Sequence, residues 1–274
     1  LRLQLEQDPL SHLMNRGAFD FVTKPIDFND LQTTIDKTRN ELALLKQALR
    51  SRDELVGLRR ELDVAAAIQR SLLPRGMPEA SPQGAFDIYA DVVPATEVGG
   101  DFYDYFMLDT DRVGFTVSDV SGKGVGAAIY MAVSRTLLRA AALVNPTWSA
   151  GRIVARLNEI LCLSAADAGM FVTVCYGILD LRTGELDYAT AAHPQPFLIT
   201  ASGARELPKA PGSVVGMMED LEYGSLSPTL APGDALMFFS DGVNEAMNET
   251  KELFGTERTL EFLQQMPKGS CEEM

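Results

Sequence analysis

Three regimes of apolar spacing divide this chain. From Asp30 to Leu73 there is no proline and one glycine, Gly57, and Leu31, Ile35, Leu42, Leu45 and Leu49 recur at helical spacings. That pattern predicts a long helix carrying the seam of a coiled coil or an amphipathic face. Beyond Leu49 the seam continues as Leu55, Leu58, Leu62 and Ala65 in a different frame, with Gly57 inside the break. A break of this kind locally overwinds a coiled coil. The helix either packs on its own domain or pairs with a second copy to carry a signal, and the spacing alone does not choose. Pro74 and Pro78 end it, because proline cannot continue the hydrogen-bond ladder.

Upstream, Phe19 to Thr23 reads as a strand, followed by a Lys24-Pro25 turn and a helix start at Asn29 or Asp30. Downstream the period changes to two. Strands are expected over Phe86–Ala95, Asp101–Asp109 and Asp111–Val120, the last two joined through the turn at Asp109 to Asp111. Helices follow from Gly124 to about Leu143 and from Ala150 to Ser164. Three more strand signals lie at Met170–Asp180, Gly184–Thr190 and Pro194–Thr200, with Gly184 placed for a hairpin turn. A late strand over Asp234–Gly242 precedes a last helix. Strands, two helices, then strands again fit an α+β fold with antiparallel sheets rather than alternating βαβ units.

Charge narrows the partners. With 38 acidic against 24 basic residues, a net charge of -14 and a pI near 4.6, the chain is a poor match for nucleic-acid phosphates. Cations and basic surfaces suit it better. Cys162, Cys175 and Cys271 form no CxxC pair and are odd in number, which argues against a disulfide framework or a structural zinc site. No apolar run reaches the roughly 18 residues that a membrane helix needs. Glu6, Asp8 and His12 interrupt the first fifteen positions where a signal peptide would be apolar. The expectation is a soluble protein of a reducing cytoplasm, with neither nucleic-acid nor membrane partners.

Three acids stand out by position. Asp101 opens a strand after Gly99 and Gly100; Asp119 closes an apolar strand before Ser121-Gly122; Asp241 closes another before Gly242. Any one of them alone reads as a turn former or helix cap. Three together, each beside a small residue that lets backbone approach closely, are better explained by a shared cation. Oxygen ligands without His or Cys select hard ions, Mg²⁺ or Mn²⁺. The loop from Ser121 to Gly126, SGKGVG, is neither a P-loop nor a dinucleotide fingerprint, because Gly124 follows Lys123 and the glycines are two apart. It reads either as a helix-capping turn or as an anion-holding one. His193, before Pro194, is a turn residue in one reading and a general acid in the other.

In order along the chain, EVGGDFYD, SDVSGKGVGAA, AAHPQP and FFSDGVNEA closely resemble the metal-dependent PPM serine/threonine phosphatases, also called the protein phosphatase 2C type. The nearest branch is SpoIIE/RsbU-like. The resemblance spans about residues 65 to 265, and AAAIQRSLLP before the domain resembles that branch's entry segment. It implies an αββα sandwich of two antiparallel sheets with a two-metal site at one edge. It also implies that Asp101, Asp119 with the carbonyl of Val120, and Asp241 hold Mn²⁺ or Mg²⁺, which would orient a water for in-line attack on phosphorus. Phe102, Tyr103 and Tyr105 would then belong to a sandwich strand, with Asp104 at the surface or in an outer layer around the metals and Glu97 a cap or outer group. The substrate implied is a phosphorylated anti-sigma-factor antagonist of the STAS type.

A second resemblance covers GAFDFVTKPIDFNDL, which looks like the end of a response-regulator receiver domain, with Lys24 matching the lysine that contacts the phosphorylated aspartate. The expected organisation is a receiver remnant over 1–30, a helical linker over 31–73 that forms a homodimer, and a phosphatase domain over 74–274. The family's further metal-binding aspartate, in a DDxT-like motif, has no counterpart in the closing KGSCEEM, and Glu272 and Glu273 are not assigned that role. Two functions therefore remain: a phosphatase, or a catalytically degenerate adaptor of the same fold that binds regulatory proteins.

Overall fold

The computed structural model describes residues 20, 25, 27–78, 84–165, 169–266 and 269–273, in two compact units that divide after Leu62. The strand read over Phe19–Thr23 lies outside them except for Asp20, as do Lys24 and most of the expected receiver remnant. The first described element is α1, Phe28–Leu72. It starts slightly earlier than the sequence suggests because Asp27 caps it, its Oδ1 accepting from the N–H groups of Asn29 (2.7 Å) and Asp30 (3.2 Å). Of the apolar seam, Ile35, Leu45, Leu49, Leu55 and Leu58 are each more than half exposed, whereas Leu31, Leu42, Leu62 and Ala65 are half-buried.

The second unit is a layered sandwich. Strands β1 (Phe102–Met107), β2 (Arg112–Val120), β3 (Val172–Asp180) and β4 (Leu186–Ala191) form one antiparallel sheet in chain order. Strands β5 (Phe197–Thr200), β6 (Gly203–Glu206) and β7 (Ala235–Met237) form a second, with β5 in the middle. Helices α2 (Val125–Val144) and α3 (Ala150–Ala165) cover the outer face of the first sheet. There Met131, Leu138, Ile153, Leu157 and Leu161 join Phe102, Val174, Tyr176 and Ile178 in one core.

The two-residue period explains the rest. Leu186 and Tyr188 of β4 point the other way, toward Leu198, Leu207 and Leu236, and make the core between the sheets. On the far side, Leu263 of α5 (Gly255–Gln265) packs with Phe197 and Phe239. The layers are thus helix, sheet, sheet, helix, the expected α+β architecture. α2 is long and apolar enough to cross a membrane by composition, yet Ala127, Tyr130, Met131, Ser134, Leu138, Ala141 and Ala142 bury one face of it, as in a core helix.

Three sequence expectations need correction. Phe86–Ala95 keeps a strict alternation of half-buried and exposed residues but joins no sheet among the described residues. Alternation reports which side faces the core, whereas a strand also needs a neighbour to bond. The hairpin strand β6 gave no apolar signal, because its Gly203, Ala204, Arg205 and Glu206 lie at a sheet margin and bury little. The late strand is short: β7 stops at Met237, and Asp241 opens a single helical turn, α4 (Asp241–Asn244), with Ser240 as its N-cap residue.

Candidate metal centre

Backbone geometry brings the three sequence-selected acids to one edge of the first sheet. Asp119 stands near the end of β2, opposite Thr173 of β3. Gly100 presses against that end: a Cβ there would lie 2.6 Å from the Val120 carbonyl oxygen and 3.3 Å from Asp119 Oδ1. Only glycine lets the chain pass so close, and the next residue is Asp101. Asp241 arrives from the other sheet at the head of α4, beside Ser240, whose hydroxyl makes no cap bond to its own helix.

The electrostatics of the three acids are mutually repulsive. Burial pushes the Asp119 carboxyl up to about 7, and the negative charges of Asp101 and Asp241 add to that rise. Asp101 is also raised, first by burial and then by Asp241, while the Ser240 hydroxyl opposes the shift. Asp101 Oδ1 is buried with no hydrogen-bond partner. Among the described residues no ion pair reaches these three acids. Such a set, oxygen donors plus the nearby Val120 carbonyl, fits Mg²⁺ or Mn²⁺, ions that keep several waters of their own. Among the described residues no group of three or more His, Cys, Asp or Glu stands at ready ligand spacing, so the acids converge without closing into a cage.

Neighbouring residues divide into those that serve this edge and those that do not. His193 is enclosed, its Nδ1 2.8 Å from Thr173 Oγ1, and burial lowers its pKa to about 4. A neutral, enclosed imidazole braces the β3 strand and is poorly placed to donate a proton, which favours the turn-residue reading. Ser121 is tied to Phe171 through both its N–H and its hydroxyl, and Gly122 and Gly124 take φ of +90° and +76°, so the SGKGVG loop is a bent entry to α2. Glu97 is exposed.

Asp104 contradicts its assignment to the surface or an outer metal layer. Its side chain is fully buried and its Oδ1 accepts from Arg139 (2.8 Å) and Arg135 (3.1 Å) of α2. Arg139 also lies over the Phe106 ring, 4.6 Å from its centre. Sequence reasoning missed this because the arginines come from a helix some thirty residues away. It missed Ser240 too, although the residue sits inside the FFSDG string, and it missed Gln69, whose burial at the end of α1 had no sequence signal, since polar Arg70 and Ser71 follow it.

Residues 109–274 match the family model described as Stage II sporulation protein E (SpoIIE). Protein IcfG of Synechocystis is 33% identical over 229 residues, covering 75% of this chain and 36% of that protein. Phosphoserine phosphatase RsbU of Bacillus subtilis is 30% identical over 193 residues, 70% of this chain and 56% of that protein. The chain thus spans between about a third and somewhat over half of these relatives' lengths. Among solved structures, the SiaA-PP2C domain of Pseudomonas aeruginosa aligns with a TM-score of 0.67 at 23% identity, covering 80% of this chain and 86% of that one, a likeness of fold. The RsbU and RsbW domains of a Mycobacterium tuberculosis protein align with a TM-score of 0.54 at 29% identity, over 62% of this chain and 46% of that one.

Proposed function

The chain belongs to the SpoIIE family of PPM-type phosphatases, and from that premise we propose that it hydrolyses phosphoserine or phosphothreonine on a partner protein with divalent metal held by Asp101, Asp119, the Val120 carbonyl and Asp241. One observation carries the proposal: Asp101 Oδ1 is buried without a partner in a group of acids that no described basic side chain pairs. Leaving such an atom bare costs about 1–3 kcal/mol or more, a cost that a bound cation removes.

Bound Mg²⁺ or Mn²⁺ would supply the Lewis-acid chemistry of phosphate-ester hydrolysis, neutralising phosphate oxygens and activating water. The chain's own part is positional. Gly100 brings Asp101 against the end of β2, and the β2–β3 ladder fixes Asp119 opposite Thr173. No protein nucleophile is required.

The substrate is proposed to be a phosphorylated STAS-type anti-sigma-factor antagonist, a reading supported by the likeness to phosphoserine phosphatase RsbU. The exposed residues of the α1 seam support a homodimer through that helix, measurable by light scattering of the wild type beside Leu45→Glu/Leu49→Glu. A reducing cytoplasm is the proposed setting, given three cysteines that are free among the described residues.

Hydrolysis of an aryl phosphate and of a phosphoserine peptide, with Mn²⁺, with EDTA and in Asp119→Asn, tests the enzyme reading. Metal-dependent turnover lost in both controls is the expected result. The competing adaptor reading rests on the absence of a ready three-ligand group among the described residues. It requires no turnover under any condition together with unchanged partner binding in Asp119→Asn.

A further inference from the structure

The chain crosses from the first sheet to the second at His193. β4 ends at Ala191, Ala192 forms a single parallel bridge with Val174 of β3, and β5 of the other sheet starts at Phe197. Ala192 takes a φ of +54°, a left-handed backbone that a residue other than glycine keeps only where its surroundings impose it. Beyond that turn His193 goes inward and is 2% exposed.

The imidazole meets both sheets there. Its Nδ1 lies 2.8 Å from Thr173 Oγ1. Thr173 stands directly opposite Asp119 in the β2–β3 register, and its hydroxyl also lies 3.4 Å from the Asp119 carbonyl oxygen. On the other side, the Phe239 carbonyl favours the protonated ring against the effect of burial. Phe239 precedes Asp241 by two residues, and its ring stacks on Phe197 at 5.3 Å between centres. A backbone carbonyl only accepts, so the ring hydrogen belongs on Nε2 and the Thr173 hydroxyl donates to Nδ1. Nε2 is itself buried and makes no hydrogen bond, which leaves it free to follow the Phe239 carbonyl. One enclosed side chain thus stands between the strand pair that carries Asp119 and the segment that delivers Asp241.

We propose that Thr173 and His193 act together as positioning residues for the metal centre, holding the β2–β3 end beside Asp119 and the Phe239–Asp241 segment at a fixed separation, with the imidazole hydrogen on Nε2. The inference rests on the proposed metal-site reading. Groups that orient ligands without touching the metal typically change metal affinity by about 10–100-fold when removed. A residue that merely fills the core would supply volume without needing the hydroxyl. Thr173→Val, which keeps the branch and loses the hydrogen bond, separates the two roles.

The test compares wild type, Thr173→Val, Thr173→Ser, His193→Phe and the double variant Thr173→Val/His193→Phe, with Asp119→Asn as the ligand control. Mn²⁺ affinity is read by titration of the free-ion electron paramagnetic resonance signal, and amide exchange over residues 238–243 by mass spectrometry without metal. The ring tautomer is read by nitrogen-15 magnetic resonance, the His193 signals being those lost in His193→Phe. Expected for Thr173→Val are Mn²⁺ affinity weaker by about tenfold and faster exchange over 238–243, although the substitution lies in the other sheet. Thr173→Ser should stay near wild type, the double variant should lose no more than His193→Phe alone, and the ring hydrogen should be found on Nε2. Unchanged Mn²⁺ affinity in a folded Thr173→Val, with Asp119→Asn weakened, overturns this inference and leaves the metal site standing. Unchanged exchange over 238–243, or a ring hydrogen on Nδ1, also overturns it by removing the link between the sheets. A lower melting temperature with unchanged affinity and exchange assigns the pair to stability alone and overturns it too. Wild type that binds no Mn²⁺ overturns the metal-site reading and this inference with it.

Discussion

Asp101 and Asp104 are three residues apart, the first half-buried and the second fully buried, and surrounded by opposite chemistry. Asp104 turns inward under α2, where two guanidinium groups share its Oδ1. Asp101 turns to the sheet edge, where its nearest charged groups are two more acids. A buried carboxylate with arginines already has its countercharge and is part of the scaffold. A buried carboxylate among carboxylates lacks one, and that deficit marks a site. The contrast also orders their costs. At Asp104 burial pushes the carboxyl pKa up and the arginines push it down, whereas at Asp119 burial and neighbouring charge push the same way.

Substitution should separate the two clusters most sharply through activity. Asp119→Asn is expected to lower metal-dependent turnover by about a thousandfold or more, since several kcal/mol of transition-state stabilisation depends on the metal. The same change removes a repelled charge, so the metal-free protein should unfold at equal or higher denaturant concentration. Asp104→Asn should do the reverse. It leaves Arg135 and Arg139 without a carboxylate and should cost about 3 kcal/mol of stability by urea unfolding, while Mn²⁺ affinity of the folded fraction stays within about twofold of wild type.

Next in size is Gly100→Ala, whose new methyl group meets the Val120 carbonyl and the Asp119 carboxylate. Overpacking of this kind costs about 1–3 kcal/mol, and Mn²⁺ affinity should fall with it because the strain relaxes by moving Asp101 or the end of β2. Gly57→Ala, by contrast, has open space around the new methyl group and should leave the metal site unaffected.

The smallest effect is a pH dependence. The Asp119 carboxyl sits at about 7 in the metal-free fold, above the unfolded value near 4. Its contribution to stability is therefore present at acid pH and lost as pH rises through about 7. Unfolding midpoints of the metal-free protein should decline across that window more than those of Asp119→Asn, and Mn²⁺ should remove the difference. Mn²⁺ binding below this pH should release protons, measurable in buffers of different ionisation enthalpy.

What the sequence revealed follows the same division. β1 to β4 were legible as apolar-rich runs that alternate between two cores, with Val172, Val174 and Tyr176 on one side of β3 and Leu179 on the other, and α2 and α3 as helices with buried apolar positions. The acids were legible because each interrupts an apolar run beside glycine. Asp104 looked identical by that rule, and only the third dimension supplies Arg135 and Arg139. Phe86–Ala95 shows the converse limit, a correct facing pattern without a bonded neighbour. Asp241 was read as closing a strand but opens a helical turn, since three residues of extended chain after Met237 are compatible with either a strand or a helix cap. Gln69 was invisible because its meaning is a contact with backbone thirty residues away.

The central claim is that Asp101, Asp119 and Asp241 together hold a divalent cation. Its most direct test is a Mn²⁺ titration of the wild type and Asp241→Asn, followed by electron paramagnetic resonance, with aryl-phosphate turnover measured on the same samples. Saturable binding in the wild type, weakened at least tenfold in Asp241→Asn and lost in step with turnover, is the predicted result. Binding of equal strength in the two proteins, or turnover that persists in Asp241→Asn, would contradict it.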